Sequence, residues 1–286
     1  MEAKLLDGKR ISEKLQKELA EEVRALKRKA KKPPKMVAIR INEDQASELY
    51  LKSQRRAAEA AGVEHETISI LGADESSLSK TIQKANQDPS VHGIMVQMPL
   101  PVSFDLETIL DSIHPDKDIE GVTSYNLGKL VLKKGRLIPC TAFSCITLIE
   151  ETGVSLRGKE AVVVGSSKVV GRPVSLLLLD RMATTAVCHI ATSEAGKLES
   201  HVRRADILVV GVGKAGVIPG RWVKEGAIVI DVGINRVNGK TVGDVEFEEA
   251  KKRAQFITPV PGGVGPLTVT ILMKNLLAAF KGQLGI

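Results

Sequence analysis

Apolar residues recur at helical spacing at Ile11, Leu15, Leu19, Val23 and Leu26, with charged residues between them. That pattern predicts an amphipathic surface helix stopped by Pro33-Pro34, since proline lacks an N–H and cannot continue the backbone ladder. The period then changes. KMVAIRI (Lys35–Ile41) reads as a strand, Gln45 to Ala61 as a helix ended by Gly62, and HETISIL (His65–Leu71) as a second strand. Ser76 or Ser77 is expected to cap a helix running to about Asn86, and VHGIMVQMPLP (Val91–Pro101) reads as a third strand entering a proline-rich turn.

A second series begins near Lys159. EAVVVG (Glu160–Gly165) reads as a strand, Arg172–Arg181 as a helix, and TTAVCHI (Thr184–Ile190), ADILVVGVG (Ala205–Gly213) and GAIVIDVGIN (Gly226–Asn235) as further strands. Several of these runs are continuously apolar, as expected of strands covered on both faces. VNGKTVGDVEF (Val237–Phe247) carries an Asn-Gly turn and predicts a short hairpin. TAFSCITLIEETG (Thr141–Gly153) reads as a linking helix and PLTVTILMKNLLAAFKG (Pro266–Gly282) as a closing apolar one. Strands alternating with helices imply parallel βαβ units. The expected fold class is α/β in two lobes, and a cleft between lobes is the default ligand site. No internal repeat or low-complexity segment is visible.

Length agrees with two lobes, because 286 residues exceed one ordinary core. Hydrophobic content of 43% with 26% charged residues fits a soluble globular chain. Aromatic content of 3% leaves little for stacking platforms, which argues against single-stranded nucleic acid as a ligand. The net charge of +7 owes much to RALKRKAKKPPK (Arg24–Lys35). A nucleic-acid or membrane patch is one reading; cations at a helix C-terminus, where the dipole favours them, is the better one. Three cysteines (Cys140, Cys145, Cys188) without a CxxC predict neither a disulfide framework nor a zinc site. The first residues are charged, with no apolar leader region, and no apolar run looks long enough to span a bilayer. A cytoplasmic protein is expected.

Three stretches carry candidate chemistry. VVVGSSKVVGRP (Val162–Pro173) is a strand–turn–helix with glycines at Gly165 and Gly171, spaced G-x(5)-G rather than G-x-G-x-x-G. It could still set backbone N–H groups and a helix N-terminus against a pyrophosphate, and VVGVGKAG (Val209–Gly216) and DVGIN (Asp231–Asn235) add glycines at strand ends, where a ligand can approach closely. TPVPGGVGPLT (Thr258–Thr268) is too rich in proline and glycine to be the interior of a helix or strand; it is a rigid turn or a surface open to a flat substrate. PDKDIEGV (Pro115–Val122) holds three acids but lacks the ligand spacing of a cation loop, so it reads as a solvated loop, and no metal is expected.

Together SELYLKSQ, GIMVQMPLP, PDKDIEGVTSYNLGKL, PCT, VVVGSSKVVGRPV, TTAVCH, GKTVGDVEF and TPVPGGVGPLTVTIL resemble the bifunctional methylenetetrahydrofolate dehydrogenase/methenyltetrahydrofolate cyclohydrolase family, the FolD-type enzymes, in order and over nearly the whole chain. The resemblance implies a folate-binding lobe (1–122 with 266–286), a Rossmann-like NAD or NADP lobe (123–265), and a homodimer. It implies hydride transfer from 5,10-methylenetetrahydrofolate to the nicotinamide, then hydrolysis of the methenyl product. Residues carried over for substrate are Tyr50, Gln97, Glu120, Pro261, Gly262 and Gly263, with Tyr50, Gln54, Gln97 and Glu120 at the reacting centre. Those carried over for cofactor are Thr141, Gly165, Ser166, Ser167, Val170, Gly171, His189, Val212, Gly213 and Ile234.

Four departures matter. The family's acid/base is the lysine of a Tyr-x-x-x-Lys helix motif, and here that position is Gln54. A carboxamide does not titrate near neutrality. Lys52 and Arg55 lie about 200° and 140° round the helix from Tyr50, and arginine is always charged. Cyclohydrolase activity is therefore expected to be weak or absent, with dehydrogenase activity kept. A fully bifunctional enzyme using another acid/base and a non-catalytic binding paralogue are the alternatives. Glu120 stands where the family commonly has an aspartate gripping the pterin, and P-C-T-P-x-G becomes Pro139-Cys140-Thr141-Ala142-Phe143-Ser144. Ser166 and Ile190 occupy positions where NADP-using relatives carry phosphate-binding side chains, which favours NAD.

Overall fold

The structure is a computed structural model that describes residues 2–42 and 45–286, with the backbone alone for Gln45 and Ala46. In chain order the elements are β1 (Lys4–Leu5), α1 (Gly8–Ala30), β2 (Lys35–Arg40), α2 (Gln45–Ala61), β3 (Glu64–Ser69), α3 (Glu75–Gln87) and β4 (Gly93–Val96). Then come α4 (Leu106–Asp111), α5 (Ser124–Val131), α6 (Cys140–Glu150), β5 (Glu160–Val164), α7 (Gly171–Asp180), β6 (Thr184–Cys188), α8 (Ile190–Glu194) and α9 (Leu198–Arg204). The chain closes with β7 (Ile207–Val210), β8 (Ile228–Asp231), β9 (Asn235–Val237), β10 (Lys240–Val242), α10 (Phe247–Ala250), β11 (Phe256–Ile257) and α11 (Val264–Leu284).

The chain divides into two compact units, residues 13–140 with 269–286 and residues 1–12 with 141–268. These bounds differ from those expected from the sequence (1–122 with 266–286; 123–265), for identifiable reasons. β1 pairs in parallel with β11, which draws the first residues into the second unit. Residues 123–140 stay with the first unit through side-chain ties. Asn126 Nδ2 donates to Asp118 Oδ2 and Pro115 O, Arg136 pairs with Asp116 at 2.6 Å, and Asn275 Nδ2 donates to Ile138 O at 2.8 Å.

The first unit is built on a three-stranded parallel sheet, order β3-β2-β4. Alternation along the strands sorts its two faces. Val37, Ile39, Ile41, Ile94 and Val96 pack with Leu78, Ile82, Ile109 and Ile113 of the α3–α4 segment. Met36, Ala38 and Met95 fall on the opposite face and are buried. The cap of α3 is Asp74, not Ser76 or Ser77; its carboxylate accepts from Ser77 N at 2.8 Å, a charge-assisted bond that the helix dipole favours. The third strand ends at Val96, well short of Pro101, because the chain turns off the ladder into a cis Met98-Pro99 bond and prolines donate nothing.

The second unit carries a six-stranded parallel sheet, order β1-β11-β8-β7-β5-β6. β5, β7 and β8 are buried almost along their whole lengths, as their continuous apolar runs predict. The chain steps from β5 outward to β6, then returns to β7 on β5's other side. The carboxyl ends of β5 and β7 are thus a topological switch point. β9 and β10 form the expected hairpin, with Asn238 and Gly239 both at positive φ, the two-residue turn whose twist suits paired strands.

α11 corrects one expectation. By length and hydropathy it could cross a membrane, yet 67% of its apolar window is buried within the protein, and Leu267, Ile271, Leu272, Leu276, Leu277 and Phe280 are all core. It is a core helix. The altered P-C-T-A-F-S segment leaves α6 unbroken from Cys140, with Ala142 and Ser144 both fully buried inside it.

Candidate active site

In the first unit, Tyr50 and Gln54 lie one turn apart on α2, and Gln54 is fully buried while Lys52 and Arg55 are exposed. The Gln54 amide is engaged: Nε2 donates to Met95 Sδ at 3.0 Å, Oε1 stands 3.4 Å from His65 Nε2, and the carboxamide lies near enough to the Tyr50 phenol to influence its ionisation. Arg55 turns away and donates to Thr67 Oγ1 at 3.1 Å. Burial first, then repulsion from Glu120 and Cys140 when these are ionised, pushes the Tyr50 phenol far above its ordinary range, with the neighbouring Gln54 amide opposing it.

Tyr50, Gln54 and Glu120 are thus brought together. Burial, and secondarily the nearby Asp118, raise the Glu120 carboxyl to about 8. Asp118 itself is fully buried and committed to structure, accepting from Gly121 N, Thr123 N and Asn126 Nδ2 at 2.8–2.9 Å. The loop expected to be solvated is therefore anchored. Lys117 strengthens this: its ammonium donates to the carbonyls of Ala85, Asn86 and Asp88 at 2.7–3.0 Å. Gln97 follows β4, with its N–H bonded to Ile39 O; its side-chain Oε1 is buried and has no hydrogen-bond partner among the described residues. A buried acceptor left open is costly unless a ligand completes it.

His65 and Met95 contact Gln54, and the sequence did not single them out. The alternation of β4 puts Met95 on the α2 side. His65 gave no signal, because a lone histidine on a strand carries no spacing.

The remaining candidates lie in the second unit. Pro261 is exposed, preceded by a cis bond from Val260; Gly262 has φ +116°, and Gly263 is buried. This loop closes on the start of α1: Gly8 N donates to Gly262 O at 3.0 Å, and a Cβ on Gly8 would strike Gly263 O. At the switch point, Gly165 has φ +119°, and a Cβ there would collide with Gly211 O; one on Gly171 would collide with Gly165 O. Only glycine allows the loops after β5 and β7 to close this tightly. Ser167 Oγ accepts from Val170 N and Gly171 N at 3.2 and 3.4 Å, shaping the turn that opens α7.

His189 is exposed and precedes α8, with Thr192 Oγ1 accepting from its N–H at 3.2 Å. Ser166 is half-buried, and Thr141 is the second residue of α6. Val212 and Gly213 follow β7 and Ile234 follows β8. Val212 and Ile234 expose apolar side chains there (42% and 71%), as Ile190 does after β6 (73%). So Gly165, Ser166, Ser167, Val170, Gly171, His189, Val212, Gly213 and Ile234 all belong to carboxyl-end loops of one parallel sheet, where dinucleotide folds bind. A loop cradle closed by glycines at a helix start is what a nucleotide needs. Among the described residues, no three His, Cys, Asp or Glu side chains stand close enough to hold a metal ion.

Residues 6–120 match the tetrahydrofolate dehydrogenase/cyclohydrolase catalytic domain, and residues 139–284 match the NAD(P)-binding domain of the same family. The bifunctional FolD methylenetetrahydrofolate dehydrogenase/cyclohydrolase of Campylobacter jejuni is 40% identical, over 98% of this chain and 99% of its own, with a TM-score of 0.93. The Trypanosoma brucei FolD, solved with NADP and an inhibitor, is 37% identical over the full length of both chains, with a TM-score of 0.95. A 5,10-methylenetetrahydrofolate dehydrogenase of the silkworm Bombyx mori is 35% identical, over 99% of this chain and 100% of its own, with a TM-score of 0.94. With a catalytic domain and an NAD(P)-binding domain, this oxidoreductase of one-carbon folate metabolism belongs to the tetrahydrofolate dehydrogenase/cyclohydrolase family.

Proposed function

We propose that this enzyme oxidises 5,10-methylenetetrahydrofolate to 5,10-methenyltetrahydrofolate and hydrolyses that product weakly or not at all. The observation that carries the proposal is Gln54: a fully buried carboxamide whose amide is already engaged with Met95 and His65, one turn from Tyr50. The two half-reactions make different demands. Loss of hydride from the one-carbon bridge leaves a cation shared by two nitrogens, so it needs orientation more than proton transfer. Hydrolysis adds water to that carbon and must move protons, which calls for a group titrating near neutrality. A carboxamide is not such a group, and neither is a phenol held as high as that of Tyr50.

In this reading Tyr50 packs against the pterin, the open Oε1 of Gln97 accepts from it, and Glu120 grips its polar edge. Gln54 keeps the Tyr50 phenol in place. Pro261, Gly262 and Gly263 contribute backbone to the substrate. The loops at Gly165–Gly171, His189, Val212–Gly213 and Ile234, with Thr141, hold the dinucleotide, whose nicotinamide supplies a hydride acceptor when bound. Ile190, exposed at the start of α8 just after β6, offers nothing to a 2′-phosphate, which supports NAD over NADP. The working form we propose is a cytoplasmic homodimer; sedimentation equilibrium tests the dimer.

One observation favours a second reading, a fully bifunctional enzyme. Glu120, with its carboxyl raised to about 8, titrates near neutrality and could move the proton. One experiment separates the two: supply methylenetetrahydrofolate with NAD⁺ or NADP⁺, and follow methenyl formation and its enzyme-dependent decay separately. Slow decay supports the loss of hydrolysis. Rapid decay that Glu120→Gln abolishes supports the second reading and sinks the first.

A further inference from the structure

Two buried carboxylates lie behind the cofactor loops. Asp244, fully buried, follows the β9–β10 hairpin; Asp231, 4% exposed, ends β8. Asp244 Oδ2 accepts from the backbone N–H groups of Val212 and Gly213 at 2.6 and 2.9 Å. Its Oδ1 accepts from Asn235 Nδ2 at 2.8 Å. One carboxylate therefore ties the loop after β7 to the first residue of β9, directly after Ile234. Asp231 in turn holds Asp244: its carboxylate accepts from Asp244 N, Val245 N and Gly233 N at 2.9–3.0 Å. Two glycines make room, since a Cβ on Gly233 would collide with Asp244 Oδ1 and one on Gly243 with Asp231 Oδ2.

This arrangement has a directional consequence. The Val212 and Gly213 amides face inward to Asp244, so they are not offered to a ligand. What the two loops present outward is the side chains of Val212 and Ile234. Charge-assisted bonds are the strong ones, and a carboxylate sharing N–H donors from one loop and an amide from the next fixes their separation.

We propose that Asp244 is a positioning residue that sets the spacing of the Val212–Gly213 and Ile234 loops for the cofactor. The inference rests on the reading of those loops as cofactor-binding. Asp244 touches no ligand itself. Losing it loosens cofactor binding without altering the folate pocket or the hydride step at saturation.

The test compares full-length Asp244→Asn, the double exchange Asn235→Asp with Asp244→Asn, and Ile234→Lys by steady-state kinetics. In Asp244→Asn, an amide oxygen that still accepts from Val212 and Gly213 leaves an NH₂ facing the Asn235 NH₂. The double exchange restores a donor opposite an acceptor. Asp244→Asn should raise the cofactor KM about tenfold or more, with kcat and the folate KM within about twofold, and the double exchange should recover most of that loss. An unchanged cofactor KM in Asp244→Asn, while Ile234→Lys raises it, overturns the positioning role alone. An unchanged KM in both variants overturns the cofactor reading of these loops. Loss of kcat and both KM values together, with no recovery in the double exchange, reduces Asp244 to a general stabiliser and also overturns the proposal. If Asp244→Asn does not fold, Asn235→Ala is read in its place: it should raise the cofactor KM severalfold with the folate KM unchanged, and an unchanged cofactor KM is the refuting result.

Discussion

Replacing Gln54 with lysine tests the central proposal most directly. Gln54 is fully buried between α2 and the sheet, so a lysine there enters a dry site beside Met95 and His65. Burial depresses an ammonium pKa by several units, toward the range where a general acid/base works best. Such a group contributes about 10²–10⁴ in rate, or roughly 3–5.5 kcal/mol of barrier. Enzyme-dependent decay of methenyltetrahydrofolate should therefore rise by at least about a hundredfold over wild type, while hydride transfer stays within severalfold. The substitution has a stability cost: a lysine pKa lowered by about three units costs roughly 4 kcal/mol near neutral pH, and Met95 and His65 also lose their carboxamide partner. The assay follows methenyl absorbance after rapid formation, with and without enzyme, alongside a urea melt. A folded variant with normal dehydrogenase activity and hydrolysis within twofold of wild type would refute the idea that position 54 is the missing acid/base.

Three further predictions can be checked together. Glu120, raised from 4.5 to about 8 in the fold, binds its proton more tightly folded than unfolded; its contribution is full below about pH 4.5 and is lost as pH rises through about 8. The melting temperature of the unliganded protein should fall across that window, and Glu120→Gln should flatten the fall; an unchanged slope in the variant would show that Glu120 is not its source. Ile190→Arg should raise kcat/KM for NADP⁺ about tenfold or more while sparing NAD⁺, as expected of a charge-assisted bond; equal rises for both cofactors would contradict the placement. Lys117→Met strips the donor from three carbonyls at the end of α3 and should cost about 2–4 kcal/mol in urea unfolding; a loss under 1 kcal/mol would mean that water replaces the ammonium.

The strands that matter most were legible because they are covered on both faces: β5, β7 and β8 appeared as unbroken apolar runs. α2 was legible to its last residue, since Gly62 at φ +74° ends it as a C′ glycine should. β1 and β11 were not, because two residues carry no periodicity and their pairing is set by partners far along the chain. The α3 cap was misplaced because three residues within one turn, Asp74, Ser76 and Ser77, all suit a cap, and only geometry picks the carboxylate. The closing helix passed unrecognised as long enough to span a bilayer because Lys274, Asn275 and Lys281 interrupt it, while its apolar residues spread round the helix and pack inward. At the candidate site, Gln54 was visible through its spacing from Tyr50, but the partners that occupy its amide were not, since His65 and Met95 come from separate strands. Asp244 was hidden for a similar reason: its two acceptor oxygens serve loops that only the fold brings alongside it.

The pairing of Lys4 with Phe256 bears on the order in which the protein can be assembled during synthesis. β1 is made before β11, with most of both units between them in the chain, so it must wait for its neighbour. The nucleotide sheet therefore completes its edge last, with a long-range closure of the kind that slows folding. A fragment beginning at residue 141 would carry β11 with its outer N–H and C=O groups unpaired, an edge open to intermolecular strand addition. β1 acts as a seam, and until it is sewn in, that edge of the sheet stays open to strand addition.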